Sequence, residues 1–473
     1  MTKELIMATE VSIKDKKQSV KGKVNRVAVY ARNKVIEVTT DDDESFYLIY
    51  YKNSLIFGGK LDRVEEETFI AKAFSEGIVI EQSHPIITAL IPQLSITIPN
   101  KNKLFGQLQT HFSLQEMAYI VTTLDSFFEK EQLIEIIDKV FFHFRRAGNF
   151  MTAFQVIQIL FDFSPTLKSA KDRLNSQEFN TYHDFYHSSS LPSILKKDPL
   201  FVELHCFKNR SNPDERVLLA AILSKQDGLV GLLLWLENAA VLQDAKSIEN
   251  YTDIALRFVT MEEWMLILGK VKINPFRMLP NALSIIEKMI KKGNYEEAAL
   301  CLLNFIDDLP AAYDASLMAI WENLDSRFVI SHLNEFIALL QHLPHDEKLQ
   351  QSEQKILQLA VNLLNEHDLP FVQEKLLPIQ TLLPHSEVIS KINKMSELIE
   401  DPDRMMELGE YYSEFRQFDH AIDCFFWEME LKPQDPSPVQ KISKIYQNKG
   451  MVKEAAAYQK IYTQLKSNLD TGS

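Results

Sequence analysis

Near its C-terminus the chain repeats a pattern of large and small side chains 34 residues on. Tyr412 answers to Tyr446, Arg416 to Gly450, Phe418 to Val452 and Ala421 to Ala455. A fixed period of this length restricts each unit to one small supersecondary element that buries its apolar face only by stacking on its neighbours. The stretch FRQFDHAIDCFFWEMELKP, Phe415 to Pro433, shows the packing logic. Its aromatics crowd around one small residue, Ala421, and a proline closes it. Two antiparallel helices approach closely only where a small side chain leaves room, and large side chains then fill the flanking gaps. Ala421 and Gly409 are the expected contact points, and Pro433 stops the second helix because it has no N–H to donate.

This arrangement resembles the tetratricopeptide repeat family. In that pattern the first helix offers L-G-x-x-Y, matched here by Leu408, Gly409 and Tyr412. The second offers an aromatic, a small residue, an aromatic and a final proline, matched by Phe418, Ala421, Phe425 and Pro433. The next unit repeats the phase at Tyr446, Gly450 and Ala455. There are departures: Arg416 replaces the usual Gly, Glu428 sits where a small residue is expected, Ser443 takes a Gly place and Gln459 an aromatic one. Upstream, Gly293, Tyr295, Ala298 and Pro310 fall at matching offsets, as do Gly148, Phe150, Ala153 and Pro165; hairpin-like units close at Pro310, Pro344 and Pro384.

The resemblance implies an α-helical solenoid of antiparallel hairpins whose first helices line a groove. In the unit starting near Pro402 the groove-facing places are Asp403, Met406, Glu407, Glu410, Ser413 and Glu414, an acidic strip. The following unit offers Ser437, Gln440, Lys441, Lys444, Gln447 and Asn448. Some members of the family clamp a partner's C-terminal carboxylate with Lys, Arg and Asn in these places, and the clearest unit here lacks that set. The expected partner is a basic or amphipathic peptide segment lying against Asp403, Glu407, Glu410 and Glu414, with Lys441 and Lys444 on the neighbouring helix.

Upstream the texture differs. Residues 19–99 hold short runs rich in Val, Ile, Tyr and Phe, among them VNRVAVYA, KVIEVTT, SFYLIYY and LSITIP. They read as a β-rich domain, a small barrel or sandwich, with TTDDDES as a hairpin tip. FGG at Phe57 to Gly59 reads as a strand-end turn. From Ser113 the period becomes helical, opened by a possible capping box, S-L-Q-E. A polar interval from Leu167 to Pro199 reads as a joint or irregular loop. The expected fold is therefore α+β, an N-terminal β-rich domain followed by a long helical-repeat region. The expected divisions are 1–105 (β-rich), 106–180 (a degenerate hairpin), 200–400 (helical repeats) and 401–473 (two clear units).

Composition narrows function. Of 473 residues only 13 are Gly, and the net charge is −14. Met1 to Lys34 carries nine Lys/Arg against three Asp/Glu, which leaves the remainder more acidic still. An acidic body disfavours nucleic-acid binding, which needs a basic face; the basic head reads as a frayed, solvated terminus. Cys206, Cys301 and Cys424 are far apart and form no CxxC, which suits a reducing cytoplasm. VLLAAIL (Val217 to Leu223) and LVGLLLWL (Leu229 to Leu236) are too short to span a bilayer and read as buried helices.

No phosphate-binding glycine loop, dinucleotide turn or nucleophile elbow occurs. The one stretch with metal-ligand spacing is YHDFYH, where His183 and His187 stand four apart, with His205 and Cys206 as further ligand candidates. The expected function is a non-catalytic protein-interaction scaffold without a cofactor. Two rivals are a metal-dependent hydrolase at His183 and His187, and a nucleic-acid-binding regulator acting through the N-terminal β domain.

Overall fold

Val, Ile and Tyr dominate residues 24–57, and there they build a sheet whose central strands are buried on both faces. The computed structural model describes residues 9–15, 18–239, 245–342 and 348–471. Two compact units result, Met1–Ile273 and Asn274–Ser473.

The first unit contains the strands β1 (Glu10–Asp15), β2 (Gln18–Tyr30), β3 (Asn33–Thr40), β4 (Ser45–Tyr51), β5 (Ser54–Lys60), β6 (Ile78–Glu81) and β7 (Ser95–Thr97). They are ordered β5-β4-β3-β2-β1-β7, with β6 joined to β2. Neighbours run antiparallel except β1 and β7. The long β2 serves two partners in turn: Gln18–Lys23 pairs with β1 and Arg26–Val29 with β6. No pairing closes β5 onto β7 or β6 among the described residues, so the sheet is open and the expected barrel or sandwich does not form. α1 packs on β2 and β3, and β3 and β4 are buried along almost their whole length.

Two further expectations fail here. The described residues of the basic head, 9–15 and 18–34, are not frayed: β1 lies in the sheet with Val11 and Ile13 buried. FGG is not a turn; Gly58 lies within β5, where a Cβ would come 2.9 Å from the Tyr47 carbonyl oxygen. The TTDDDES tip does connect β3 to β4.

The helices of this unit are α1 (Phe69–Glu76), α2 (Leu104–His111), α3 (Leu114–Thr122), α4 (Lys130–Arg146), α5 (Phe150–Phe163), α6 (Lys168–Leu174), α7 (Asn180–Ser188), α8 (Leu191–Leu195), α9 (Pro199–Lys208), α10 (Pro213–Gln226), α11 (Gly228–Asn238), α12 (Ala245–Ala255) and α13 (Met261–Lys270). Ser113 and Glu116 form the capping box of α3. The interval 167–199 is a chain of short helices, not a loop. Its prolines lie at helix starts, Pro192 in α8 and Pro199 in α9, where the missing N–H costs nothing. Phe179, Tyr182 and Tyr186 of this interval cluster on Phe154 of α5, which holds it in place.

The second unit contains α14 (Pro275–Met278), α15 (Ala282–Lys291), α16 (Tyr295–Leu303), α17 (Asp314–Asn323), α18 (Ser326–Ser331), α19 (Leu333–His342), α20 (Lys348–Glu366), α21 (Leu369–Leu382), α22 (Glu387–Leu398), α23 (Met405–Glu414), α24 (Phe418–Leu431), α25 (Ser437–Asn448) and α26 (Val452–Thr471). Successive helices pack as stacked hairpins: α21 on α22, α22 on α23, α23 on α24, α24 on α25 and α25 on α26. Pro310 and Pro384 follow helical segments, as the hairpin reading requires, while Pro344 lies outside the described residues.

Candidate functional site

The C-terminal hairpins are built on a recurring corner. At Arg416 the backbone N–H donates to Ser413 O, and the next N–H, of Gln417, reaches back to Tyr412 O. At Gly450 the same two bonds run to Gln447 O and, from Met451, to Tyr446 O. Both residues are left-handed, with φ of +58° and +74°. The corner recurs at Gly148 (φ +72°) between α4 and α5 and at Gly293 (φ +82°) between α15 and α16, with the same pattern of bonds. These bonds satisfy carbonyls that the helix end leaves open.

Inside the hairpins, the residues singled out above are placed as follows. Leu408, Tyr412, Ala421 and Phe425 are buried between α23 and α24. A Cβ on Gly409 would lie 2.7 Å from Phe425 Cε1, so the glycine admits the ring. Phe418 is half-buried at the start of α24, and Pro433 lies just beyond its end. Ala455 is buried, and Tyr446 stacks on Tyr458 with ring centroids 5.4 Å apart. Ser443 and Gln459, one period after Gly409 and Phe425, hydrogen-bond at 3.4 Å, and Ser443 Oγ also donates to Ala455 O at 2.9 Å. The glycine–aromatic contact of one hairpin is thus a polar pair in the next. Glu428 is buried at a small-residue place; its Oε1 accepts from Lys432 Nζ at 2.6 Å, while its Oε2 accepts no hydrogen bond from any described residue.

The acidic strip is largely balanced from within. Glu407 pairs with Arg404, Glu410 with Lys441 at 2.7 Å, and Glu414 with Lys391 of α22. Asp403 is exposed, with no ion pair among the described residues, and Lys444 is exposed on α25. Exposed pairs of this kind contribute about 0–1 kcal/mol each. Large apolar residues are also exposed here: Trp427 and Leu431, one helical turn apart on α24, are each 49% accessible. Sequence periodicity did not separate these two from the core positions of α24; the signal was their spacing from Ala421, which puts them off the packed face.

The rival sites look different. His183 and His187 do lie on one helix, α7, and not in the loop expected. His183 Nε2 is 2.8 Å from Leu174 O, and its ring meets the Phe154 ring edge-on at 4.9 Å. His205 packs on Phe201 and sits 3.4 Å from Glu215. Among the described residues no three His, Cys, Asp or Glu side chains group in a way that could hold a metal ion. Lys14, Lys21 and Lys23 of the basic head are exposed on β1 and β2, where their partners across the β1–β2 pairing are Ser19, Ser12 and Glu10, none of them an aromatic for base stacking. No described helix is long and apolar enough to cross a membrane.

No protein-family model matches the chain, and no curated protein matches it. Among solved structures it is similar to a chain of "Crystal structure of APC/C hetero-tetramer Cut9-Hcn1", over 78% of this chain and 83% of that one, at 14% identity and a TM-score of 0.18. A likeness at that score carries no argument about this chain, whose architecture rests on its own geometry.

Proposed function

We propose that the chain is a non-catalytic protein-interaction scaffold of the tetratricopeptide kind, working in the cytoplasm through the hairpins α23–α26. The observation that carries this reading is the corner repeated 34 residues apart at Arg416 and Gly450, with the same bonds and the same backbone turn. Equal corners stack equal hairpins, and stacked hairpins present successive first helices as one continuous surface and successive second helices, α24 among them, as another. The three buried, unpaired cysteines fit a reducing compartment.

The partner is an amphipathic peptide segment more than a purely basic one. Glu407, Glu410 and Glu414 already hold cations, so added positive charge alone gains little there. Apolar anchors beside Trp427 and Leu431 would remove more surface from water. The test uses three full-length chains in affinity capture from lysate: the natural chain, Glu407→Lys with Glu410→Lys, and Trp427→Ser with Leu431→Ser. All four positions are exposed or half-buried, so folding should survive, and circular dichroism checks it. Partners lost with the α24 pair and kept with the charge pair support the reading. Equal capture by all three chains removes it.

A further inference from the structure

One end of the sheet in the first unit opens on a polar chamber of about 680 Å3. One wall is a pair of two-residue turns, Ala31–Arg32 between β2 and β3 and Lys52–Asn53 between β4 and β5. Lys52 N donates to Arg32 O at 2.9 Å and holds the turns side by side. Ala31, Lys52 and Asn53 are left-handed, with φ of +49°, +48° and +66°, a conformation that Asn tolerates and Ala and Lys rarely adopt. Strain of this sort concentrates at functional positions. The facing walls are the first turns of α3 and α9 and the α10–α11 corner at Asp227.

Arg32, Lys34 and Lys52 line the chamber opposite Glu116, Glu203 and Asp227, so the lining is neutral in sum. The pairing is uneven. Glu116 is saturated: it accepts from Arg32, Tyr51, Lys52 and Ser113. Glu203, 1% exposed, takes Arg32 Nε on Oε2 at 2.6 Å, while its Oε1 accepts no hydrogen bond from any described residue. The ammonium of Lys34, whose side chain is 6% exposed, donates to Asn53 Oδ1 at 2.6 Å; the Asp227 carboxylate is 3.8 Å away, beyond hydrogen-bond reach. An ammonium carries three donors, so Lys34 retains capacity for an acceptor. Burial pushes the Lys34 ammonium down and the Glu203 carboxyl up from their ordinary values.

We propose that this chamber binds a small zwitterion of the free α-amino-acid class, its carboxylate taken by Lys34 and its ammonium by Glu203. A neutral ligand carrying both charges suits a lining that sums to zero and lacks one donor and one acceptor. A nucleotide or other polyanion would meet three carboxylates, and a simple cation would meet Arg32 and Lys34. Leu200, Leu223 and Val230 supply an apolar wall, which favours an aliphatic side chain. The volume lies in the usual range for small-molecule sites. This inference is independent of the scaffold reading, because it uses only the first unit.

The test is calorimetric titration of the full chain with the twenty standard L-amino acids, each singly, followed by leucinamide and 4-methylpentanoate, which lack one charge each. Saturable heat is expected for an aliphatic amino acid, with binding about tenfold weaker for each single-charge analogue. Lys34→Met and Glu203→Gln should each weaken binding by about tenfold or more. Should either buried substitution disturb folding, Asn53→Gly and Asp227→Asn at the rim serve instead, since glycine suits the left-handed turn and asparagine still caps α11, with a loss of about threefold expected from each. Absence of saturable heat from all twenty, or a single-charge analogue that binds as tightly as its parent amino acid, overturns the proposal.

Discussion

Arg416 occupies a corner where the chain elsewhere places glycine. A side chain in the left-handed region costs about 1–2 kcal/mol, while glycine loosens the unfolded chain by about 0.5–1 kcal/mol. Arg416→Gly should therefore raise stability by roughly 0.5 kcal/mol, and Gly450→Ala should lower it by about 1 kcal/mol, both read from urea melts. A clear loss with Arg416→Gly would show that the arginine side chain itself holds the corner. Gly409→Ala drives a methyl into the Phe425 ring and should cost about 1–3 kcal/mol. The departures at Ser443 and Gln459 meet each other at 3.4 Å, beside the bond from Ser443 Oγ to Ala455 O. Ser443→Gly combined with Gln459→Phe rebuilds the first hairpin's contact, and the double variant should melt higher than the sum of its singles predicts. Additive behaviour would mean that the two sites do not share one packing choice.

At the scale of elements, α1 starts without help from its own N-cap. Thr68 makes no capping bond with its side chain; both carboxylate oxygens of Asp125 take the Phe69 N–H at 3.0 Å instead. Burial pushes the Asp125 carboxyl from an ordinary 3.8 up to about 6. The folded chain thus holds this proton more tightly than the unfolded one, so the contribution of Asp125 is complete at low pH and is lost as pH rises through about 6. Asp125→Asn keeps an acceptor and removes the titration. Its melting temperature relative to the natural chain should climb between about pH 4 and 6 and level off above; a difference that is flat with pH would place the titration elsewhere. Much of this scale was legible in the sequence. The strands from Val24 to Gly59, the Ser113 capping box and the corners at Gly148, Gly293 and Gly450 followed from local patterns with local causes. The short helices of 167–199 were hidden because their stability comes from an aromatic cluster contributed partly by Phe154 of α5, which no local pattern shows. β1 was hidden because Glu10, Ser12, Lys14 and Asp15 mask its two buried apolar residues, Val11 and Ile13. The partnering of the acidic strip was hidden for the same reason: Lys391 and Lys441 reach it from other helices.

At the scale of the molecule, each compact unit carries its own buried thiol reporter, Cys206 in the first and Cys301 and Cys424 in the second. Burial pushes Cys206 and Cys424 to about 11 and Cys301 to about 12, so each is a poor nucleophile while folded. Labelling with a maleimide across a urea gradient should give one midpoint for Cys206 and another shared by Cys301 and Cys424. A single midpoint for all three would mean that the two units lose structure together. The open sheet of the first unit was not foreseeable from strand texture, because closure depends on which edges meet, and edge pairing leaves no mark on a single strand's alternation. The stacking of the last hairpins was foreseeable, because a period repeats the same physical problem and its solution together.

The ion pairs that tie α23 to its neighbours, Lys391 with Glu414 and Glu410 with Lys441, sit at the surface, where dissolved salt reaches them. At about 0.1 M salt the screening length is about 10 Å, and near 1 M it shrinks to about 3 Å. The apolar seams inside each hairpin do not weaken over that range. Added salt therefore loosens only these surface ties between neighbouring hairpins and leaves the packed apolar contacts, within hairpins and between them, as they are.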